Sequence, residues 1–515
     1  MNKFSLTSLS LSLSLICSAL CFSPELLAES KKYDIVPEDS VNASVVSISN
    51  ANEKNSAKNK KKYRYKQSDF QQHNKEKASE IAKNINLNRA NLLELYQLAL
   101  QSNPTWLAAQ ADALALKEKV PQALGQLLPN ISASGVHNKT NTTQKTTQTY
   151  NGKKIHPKNN YVYDSYNYAL TGRQAIFRPY NFALYKQAKN EANRADAMIE
   201  QALQDLAVSV STAYFDVLLA KADLDVCEQQ KRSFLEHKNY AEKAFDAGLG
   251  TKTDIDEATS RYDMENARSV ELRYRLEYTL DALEAVVGAD IRGVNSLDPN
   301  KIKLQRPTPA KLDAWITRAE EVNPTLKAML SNVKAANDEV LKAYSGHLPT
   351  VDLVAQVSRS KSDTSSTINT AYETSFVGLQ VSVPIYSGGA TQSTVRQAKY
   401  SLTNQEERFN ATKREISLQV RKEFDASMQG VDWIIAYSTA LDSAERALNS
   451  TKKGFEAGTR NRLDILNAES NLSQAKLNLN RGRYQYVIAR IRLLALVNQL
   501  DLEQIQYFNS WLEGK

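Results

Sequence analysis

Residues 180 to 247 contain neither Pro nor Gly, and no Pro occurs between Pro179 and Pro299 or after Pro384. Proline removes a helix-interior N–H donor and clashes with the preceding turn, and glycine weakens a helix through backbone entropy. A run without either is free to be one helix. It would extend about 100 Å at about 1.5 Å per residue. Globular helices are far shorter, so a helix of this length needs neighbours along it, as in a coiled-coil-like assembly. Small residues recur in it, at Ala183, Ala188, Ala192, Ala195 and Ala197, and let such neighbours approach closely.

The run belongs to a duplicated unit. Asn103-Pro104-Thr105 recurs as Asn323-Pro324-Thr325, and Leu128-Pro129-Asn130 as Leu348-Pro349-Thr350, both shifted by 220. Gln187-Ala188-Lys189 recurs as Gln397-Ala398-Lys399, and Phe245-Asp246-Ala247-Gly248 as Phe455-Glu456-Ala457-Gly458, shifted by 210. The ten-residue difference falls in strands and their turn. Two copies of about 200 residues are a tandem duplication, not a solenoid array. Each copy orders a helix opened by Pro, a Leu-Pro stop, two strands joined by a polar loop, a very long helix, a Gly turn and a second long helix.

The strands show as alternation. Val351, Leu353, Ala355 and Val357 alternate with mostly polar residues. So do Val377, Leu379, Val381, Val383 and Ile385. The first copy offers Tyr161 to Phe177. The segments Thr140 to Asn160 and Ser358 to Thr370 are strongly polar and are expected to be loops. Four strands do not close a barrel around an aqueous lumen. An open sheet leaves edges that a membrane does not tolerate, and oligomerisation removes them. Three chains would bring twelve strands, an even number in the range of outer-membrane barrels. Tyr161, Tyr163, Tyr166 and Tyr168 fit either an interfacial aromatic belt or ordinary strand packing.

The first residues read as a secretory signal, 1–28, with Lys3, an apolar stretch Leu11 to Phe22 and Ala28 at the cleavage point. Residues 29–84 are polar and read as a disordered extension. Cys17 and Cys21 lie in the signal, leaving Cys227 and no internal disulfide. No later stretch supplies about 18 consecutive apolar residues, so no transmembrane helix is expected. The net charge of +8 is spread among 57 acidic residues, which describes a mixed solvated surface instead of a nucleic-acid interface. The five His lack metal-ligand spacing, and Gly248-Leu249-Gly250-Thr251-Lys252-Thr253 lacks the phosphate-loop pattern and follows a helix. No enzyme, cofactor or metal is expected.

In order and in duplicate, these motifs carry a resemblance. Asn103-Pro104, the run Gly346 to Leu353, the run Val383 to Gly389, Gln397-Ala398-Lys399 and the paired Ala-Gly turns resemble the TolC family of outer-membrane efflux and secretion ducts, over about residues 85 to 500. The resemblance implies a mainly α fold with β. A homotrimer would form a 12-stranded outer-membrane β-barrel, four strands per chain, continuous with a periplasmic α-helical barrel. It implies a first repeat at 85–290, an equatorial linker at 291–322, a second repeat at 323–500 and a tail at 501–515. It implies an exit duct for multidrug efflux or type I protein secretion, seated in outer-membrane lipid. A periplasmic adaptor (membrane fusion) protein and an inner-membrane transporter, ABC or proton-driven, would be its partners. A non-conducting coiled-coil envelope protein is the alternative; it has no use for two amphipathic hairpins. A soluble adaptor is disfavoured by the same strands.

The same resemblance places function in the two helix–helix turns. Ala247, Gly248, Leu249, Ala457, Gly458 and Thr459 would form the adaptor-docking tip. Asp464 would ring the aperture, and Arg460 would latch the tip to Thr253 and Asp254. Three positions depart from well-known members: Asn467 replaces a second aperture aspartate, Phe455 a hydrogen-bonding Tyr, and His237 a Gln. A purely structural account of the turns is also available, with Gly ending one helix and Thr251 or Asn461 capping the next.

Overall fold

A computed structural model describes residues 88–299, 301–362 and 370–512. The expected signal and extension lie outside these residues. The first copy runs α1 (Leu92–Ser102), α2 (Pro104–Lys117), α3 (Lys119–Gly125), β1 (Asn130–Lys145), β2 (Gln148–Tyr150), β3 (Lys153–Ile155), β4 (Lys158–Phe177), α4 (Pro179–Asp246) and α5 (Lys252–Val287). The second runs α6 (Leu312–Val322), α7 (Pro324–Tyr344), β5 (Thr350–Ser362), β6 (Ala371–Ser382), α8 (Ala390–Glu456) and α9 (Arg462–Leu496), and α10 (Leu502–Asn509) follows. The Pro- and Gly-free run is one 68-residue helix, and its counterpart α8 has 67 residues.

The boundaries move in two places. Helix α6 pairs with α1 at the 220-residue shift, so the second copy begins inside the expected linker 291–322. The expected tail 501–515 contains α10, capped by Asp501, and buries Phe508 and Trp511. The chain divides into two compact units. One comprises residues 115–193 and 331–406, and the other holds the remaining described residues.

The first unit carries an antiparallel sheet of order β1-β4-β5-β6. Cross-strand partners Ala133 and Leu170, Leu170 and Val357, Leu353 and Leu379, and Val351 and Val381 place one apolar row across all four strands. The opposite face carries Ser134, Thr171, Arg173, Asp352, Gln356 and Gln380, as the period of two requires. Every residue of β6 is exposed, and β1 and β6 are edge strands within the chain.

The polar segment Thr140 to Asn160 is mostly not a loop. β1 and β4 stay paired out to Lys145 and Lys158, and β2 pairs with β3 beyond them. Asn151 and Gly152, both at positive φ, make the two-residue turn. Such primed turns match strand twist and favour Asn-Gly. β5 likewise runs on to Ser362, and β6 begins at Ala371 and ends before Val383 and Ile385. Tyr166 and Tyr168 stack on one another on the apolar face, and His137 stacks on Tyr166. Tyr161 and Tyr163, at odd positions of β4, face the other way, and Tyr163 shares a hydrogen bond with Thr142.

At the helical end of the sheet, buried Asp352 accepts from Arg173 (2.6 Å) and Arg178 (2.7 Å). The chain thereby joins β4, β5 and the entry to α4. Gly346 of the Gly-His-Leu-Pro motif is a close approach: a Cβ there would lie 2.9 Å from the Thr391 methyl carbon.

In the second unit the core gathers Leu92, Leu95, Tyr214, Phe215, Leu218, Leu283, Tyr486, Ile491 and Trp511. One window of α4 is apolar enough by length and composition to cross a membrane, but half of it is buried. That helix supplies Ala207, Val210, Tyr214 and Phe215 to the core, which accounts for apolarity there. The duplicated Asn-Pro now has a mechanism. Asn103 caps the N–H of Trp106 and donates to the Val286 carbonyl at 2.8 Å. Asn323 caps the N–H of Leu326 and donates to the Leu496 carbonyl at 2.9 Å. One amide thus opens α2 or α7 and satisfies the C-terminal end of α5 or α9. We expect Asn323→Ala to cost about 2 kcal/mol, the sum of a cap and a partly buried carbonyl left without its donor. Thermal unfolding checks this; Asn323→Asp, which keeps the cap alone, should recover about half.

Candidate functional site

The two helix–helix turns are built alike. Gly248 and Gly458 sit at φ +73° and +72°. The N–H of Gly248 bonds to the Phe245 carbonyl and that of Leu249 to the Ala244 carbonyl. In the second turn Gly458 bonds to Phe455 and Thr459 to Gly454. This is the Schellman arrangement, which needs a left-handed residue just past the helix and so selects glycine. Three residues on, Thr251 and Asn461 each accept from the N–H of an aspartate, Asp254 and Asp464, and each aspartate accepts from the N–H of the cap. These are capping boxes with Asp at the third position. Leu249 is 87% exposed, so the first turn presents an unpaired apolar side chain.

The capping box explains where Arg460 goes. Its guanidinium lies 4.0 Å from Asp464, its own turn's aspartate, not against Thr253 or Asp254. The Asp254 carboxylate is committed to the Thr251 hydroxyl (2.7 Å) and N–H (2.9 Å). Those bonds, with the Arg462 charge as a weaker contribution, hold its pKa below the usual carboxylate range. Within one chain, therefore, the expected Arg460 latch to the first turn is not formed.

Other residues tie the two helical hairpins together. The Arg462 guanidinium sits 3.6 Å from the centre of the Tyr240 ring of α4 and 5.3 Å from that of Phe455 on α8. Arg261 of α5 donates to the Asn467 side chain of α9 at 2.9 Å. Glu469 of α9 accepts from Ser233 at 2.7 Å, is bonded to His237 at 3.1 Å, and pairs with Lys452 of α8 at 3.3 Å. Burial alone would raise the Glu469 pKa. The His237 and Ser233 hydrogen bonds and the charges of His237 and Lys452 outweigh that and hold it at about 2.

Two of the three departures, Asn467 and His237, thus fall in contacts between the hairpins, and the third, Phe455, lies against Arg462 within the hairpin α8–α9. Phe455 gives Arg462 a ring face at 5.3 Å, within reach of cation–π attraction. Asn467 receives Arg261, and His237 engages Glu469. Sequence reasoning missed Arg462, Arg261, Glu469, Lys452 and Ser233. The available signal was the trio of departures, since replaced polar groups imply replaced partners. Among the described residues no group of three or more His, Cys, Asp or Glu is placed to hold a metal. Burial pushes the Cys227 thiol up to about 12, which leaves it protonated.

A duplicated pair of long helices, a strand pair per copy and this double turn have close counterparts among known proteins. The family profile "Outer membrane efflux protein" matches residues 95–289 and 315–499.

The chain belongs to the outer membrane efflux protein family.

The alkaline protease secretion protein AprF of Pseudomonas aeruginosa is 33% identical over 80% of this chain and 86% of its own length. The proteases secretion protein PrtF of Dickeya chrysanthemi is 28% identical over 82% of this chain and 91% of its own length. The outer membrane protein TolC of Escherichia coli is 28% identical over 82% of this chain and 85% of its own length. Among solved structures, the outer membrane protein VceC of Vibrio cholerae superposes with TM-score 0.67 at 18% identity, covering 80% of this chain and 97% of that one. The fold is that of the outer-membrane channels, and this member of the family is an outer-membrane channel protein. The family match also begins its second segment at 315, within α6, in keeping with the earlier start of the second copy.

Proposed function

We propose that three copies of this chain form an exit duct through which a polypeptide leaves the periplasm, with an adaptor and an inner-membrane transporter below it. The observation that carries this reading is the sheet: four strands, one apolar face, one polar face and two uncovered edges. In a membrane those edges require partners. Three copies joined β1 to β6 give twelve strands and no edge, with the apolar row toward lipid and Arg173, Gln356 and Gln380 toward the lumen. Two relatives bear names of protease secretion proteins, which favours polypeptide export over small-molecule efflux. A non-conducting envelope spacer leaves the sheet without a purpose.

The tip is the proposed gate and docking surface. Ala247, Gly248, Leu249, Ala457, Gly458 and Thr459 would meet the adaptor, with Leu249 as apolar anchor. Asp464 and Asp254 would face the aperture as fixed negative charges. Arg460, Thr253, Asn467, Phe455 and His237 would surround them. Opening would separate the hairpin α4–α5 from α8–α9, so the Arg462, Arg261–Asn467 and Glu469 contacts are the links to be broken. The test is deletion of the gene, scored for exported proteins and for drug sensitivity, beside fractionation of the protein itself. Loss of exported protein, with a heat-modifiable trimer in the outer membrane, is expected. A soluble periplasmic species, or unchanged export, would overturn the reading.

A further inference from the structure

Among the described residues, the β1–β4 hairpin extends past β5 and β6. Ser165 is level with Ser362, the last paired residue of β5, yet β4 continues back to Lys158 and β2–β3 lies beyond. This extension carries Lys139, Lys145, Lys153, Lys154 and Lys158 and no Asp or Glu between Lys139 and Asn160. All five lysines are exposed. Lys139 faces Asp164, but Lys145 is directly opposite Lys158, two like charges as cross-strand neighbours. Such a like-charge pair is mildly destabilising, and an anion between the two ammonium groups would relieve it.

Position along the strand narrows the anion. The continuous apolar row gives way at the His137, Tyr166 and Tyr168 rings, with Val162 the one apolar side chain beyond them on that face of β1 and β4, and a membrane interface is expected there. Lys139, Lys145 and Lys158 continue that lipid-side face outward by strand alternation. From His137 to Lys145 is about 27 Å along the strand at about 3.4 Å per residue. With a strand tilt of about 40° the pair stands about 20 Å above the rings. A phospholipid headgroup layer is only about 6 Å deep. The lysines therefore overreach simple phospholipid and match a thicker, phosphate-bearing headgroup.

We propose that this lysine arm binds the phosphorylated sugar headgroups of an outer-leaflet glycolipid, with one phosphate bridging Lys145 and Lys158. The proposal rests on the outer-membrane barrel reading given above. Lysine suits this role as a flexible point charge for phosphate.

The test uses the full-length protein in phosphatidylcholine nanodiscs, titrated with phosphorylated lipopolysaccharide, enzymatically dephosphorylated lipopolysaccharide, phosphatidylglycerol vesicles and soluble polyphosphate. The expected result is binding of phosphorylated lipopolysaccharide at least tenfold tighter than of the other three at 0.1 M salt, fading at 1 M. Replacing Lys145, Lys153, Lys154 and Lys158 by Gln together should abolish that preference while trimer and conductance persist. Should that variant fail to assemble, Lys145→Glu separates the effects: it pairs with Lys158, leaves Tm unchanged or raised, and weakens glycolipid binding at least tenfold. Equal binding by wild type and variants overturns the proposal, as does a preference for polyphosphate, which would mark a soluble polyanion as the ligand. Recovery of the protein outside outer-membrane fractions would bring down the barrel reading as well; recovery in them without glycolipid preference brings down this inference alone.

Discussion

In planar bilayers, Glu469→Gln is expected to raise the population of a high-conductance state about tenfold per chain released. Glu469 is the single acceptor shared by Ser233 and His237 of one hairpin and Lys452 of the other. Hydrogen bonds to a charged group contribute about 1.5–3 kcal/mol each when buried. The Glu469 and His237 side chains are only 11% and 18% exposed, but Lys452 is 47% exposed and counts for little. An amide keeps the shape and one acceptor but loses the charge, so about 1–2 kcal/mol per chain is the expected loss. That is about tenfold in a two-state equilibrium. His237→Gln keeps a donor toward Glu469 and should change conductance less than twofold. Arg460→Ser should also act weakly, because the 4.0 Å pair is exposed and lies within one turn. Equal conductance of Glu469→Gln and wild type would remove Glu469 from the gate.

The same group sets a pH dependence. Its pKa is lowered from 4.5 to about 2 in the folded chain. A depressed carboxylate pKa contributes stability that is fully present above the unfolded value and lost as pH falls through the folded one. The clasp should therefore hold at neutral pH and loosen between about pH 4.5 and 2, and Glu469→Gln should flatten conductance against pH in that window.

The second large effect is expected at Asp352. Its side chain is 3% exposed and accepts from both Arg173 and Arg178. Removing one partner of a buried ion pair commonly costs about 3–5 kcal/mol, because the remaining charge is left uncompensated. Arg173 is 47% exposed and Arg178 33%, so water relieves part of this, and about 2–4 kcal/mol is the expected cost of Asp352→Ala. The two guanidinium groups would also repel. The variant should lose heat-modifiable trimer at lower temperature, with Asp352→Asn intermediate. A melting temperature equal to wild type would show that the sheet's junction with α4 does not depend on this pair.

Much of the architecture was legible in the chain because it rests on local rules. Absence of Pro and Gly marked α4, and Asn-Pro marked the starts of α2 and α7. Thr251 and Asn461 were readable as caps, since a cap acts within the first turn; the reciprocal bonds from Asp254 and Asp464 came with the structure. The polar stretch from Thr140 was misread because its paired residues are polar on both faces, so no hydrophobic alternation marks the strands; Asn151-Gly152 was the local cue. The linker boundary was misplaced because the second copy was started at Asn323-Pro324, whereas α6, which no Pro opens, precedes that motif.

By itself, then, the sequence determined the duplicated order of elements, the lengths of the helices and the form of both turns, because each depends on interactions a few residues apart. Only the tertiary structure decided which groups hold the hairpins together. Glu469 meets His237 across 232 residues and Asn467 meets Arg261 across 206, and the rotation of each long helix settles such contacts. A helix without a strong apolar stripe does not announce that rotation in its periodicity. Packing between helices decides it, and α4 and α9 share a buried core through Tyr214, Phe215, Tyr484 and Tyr486.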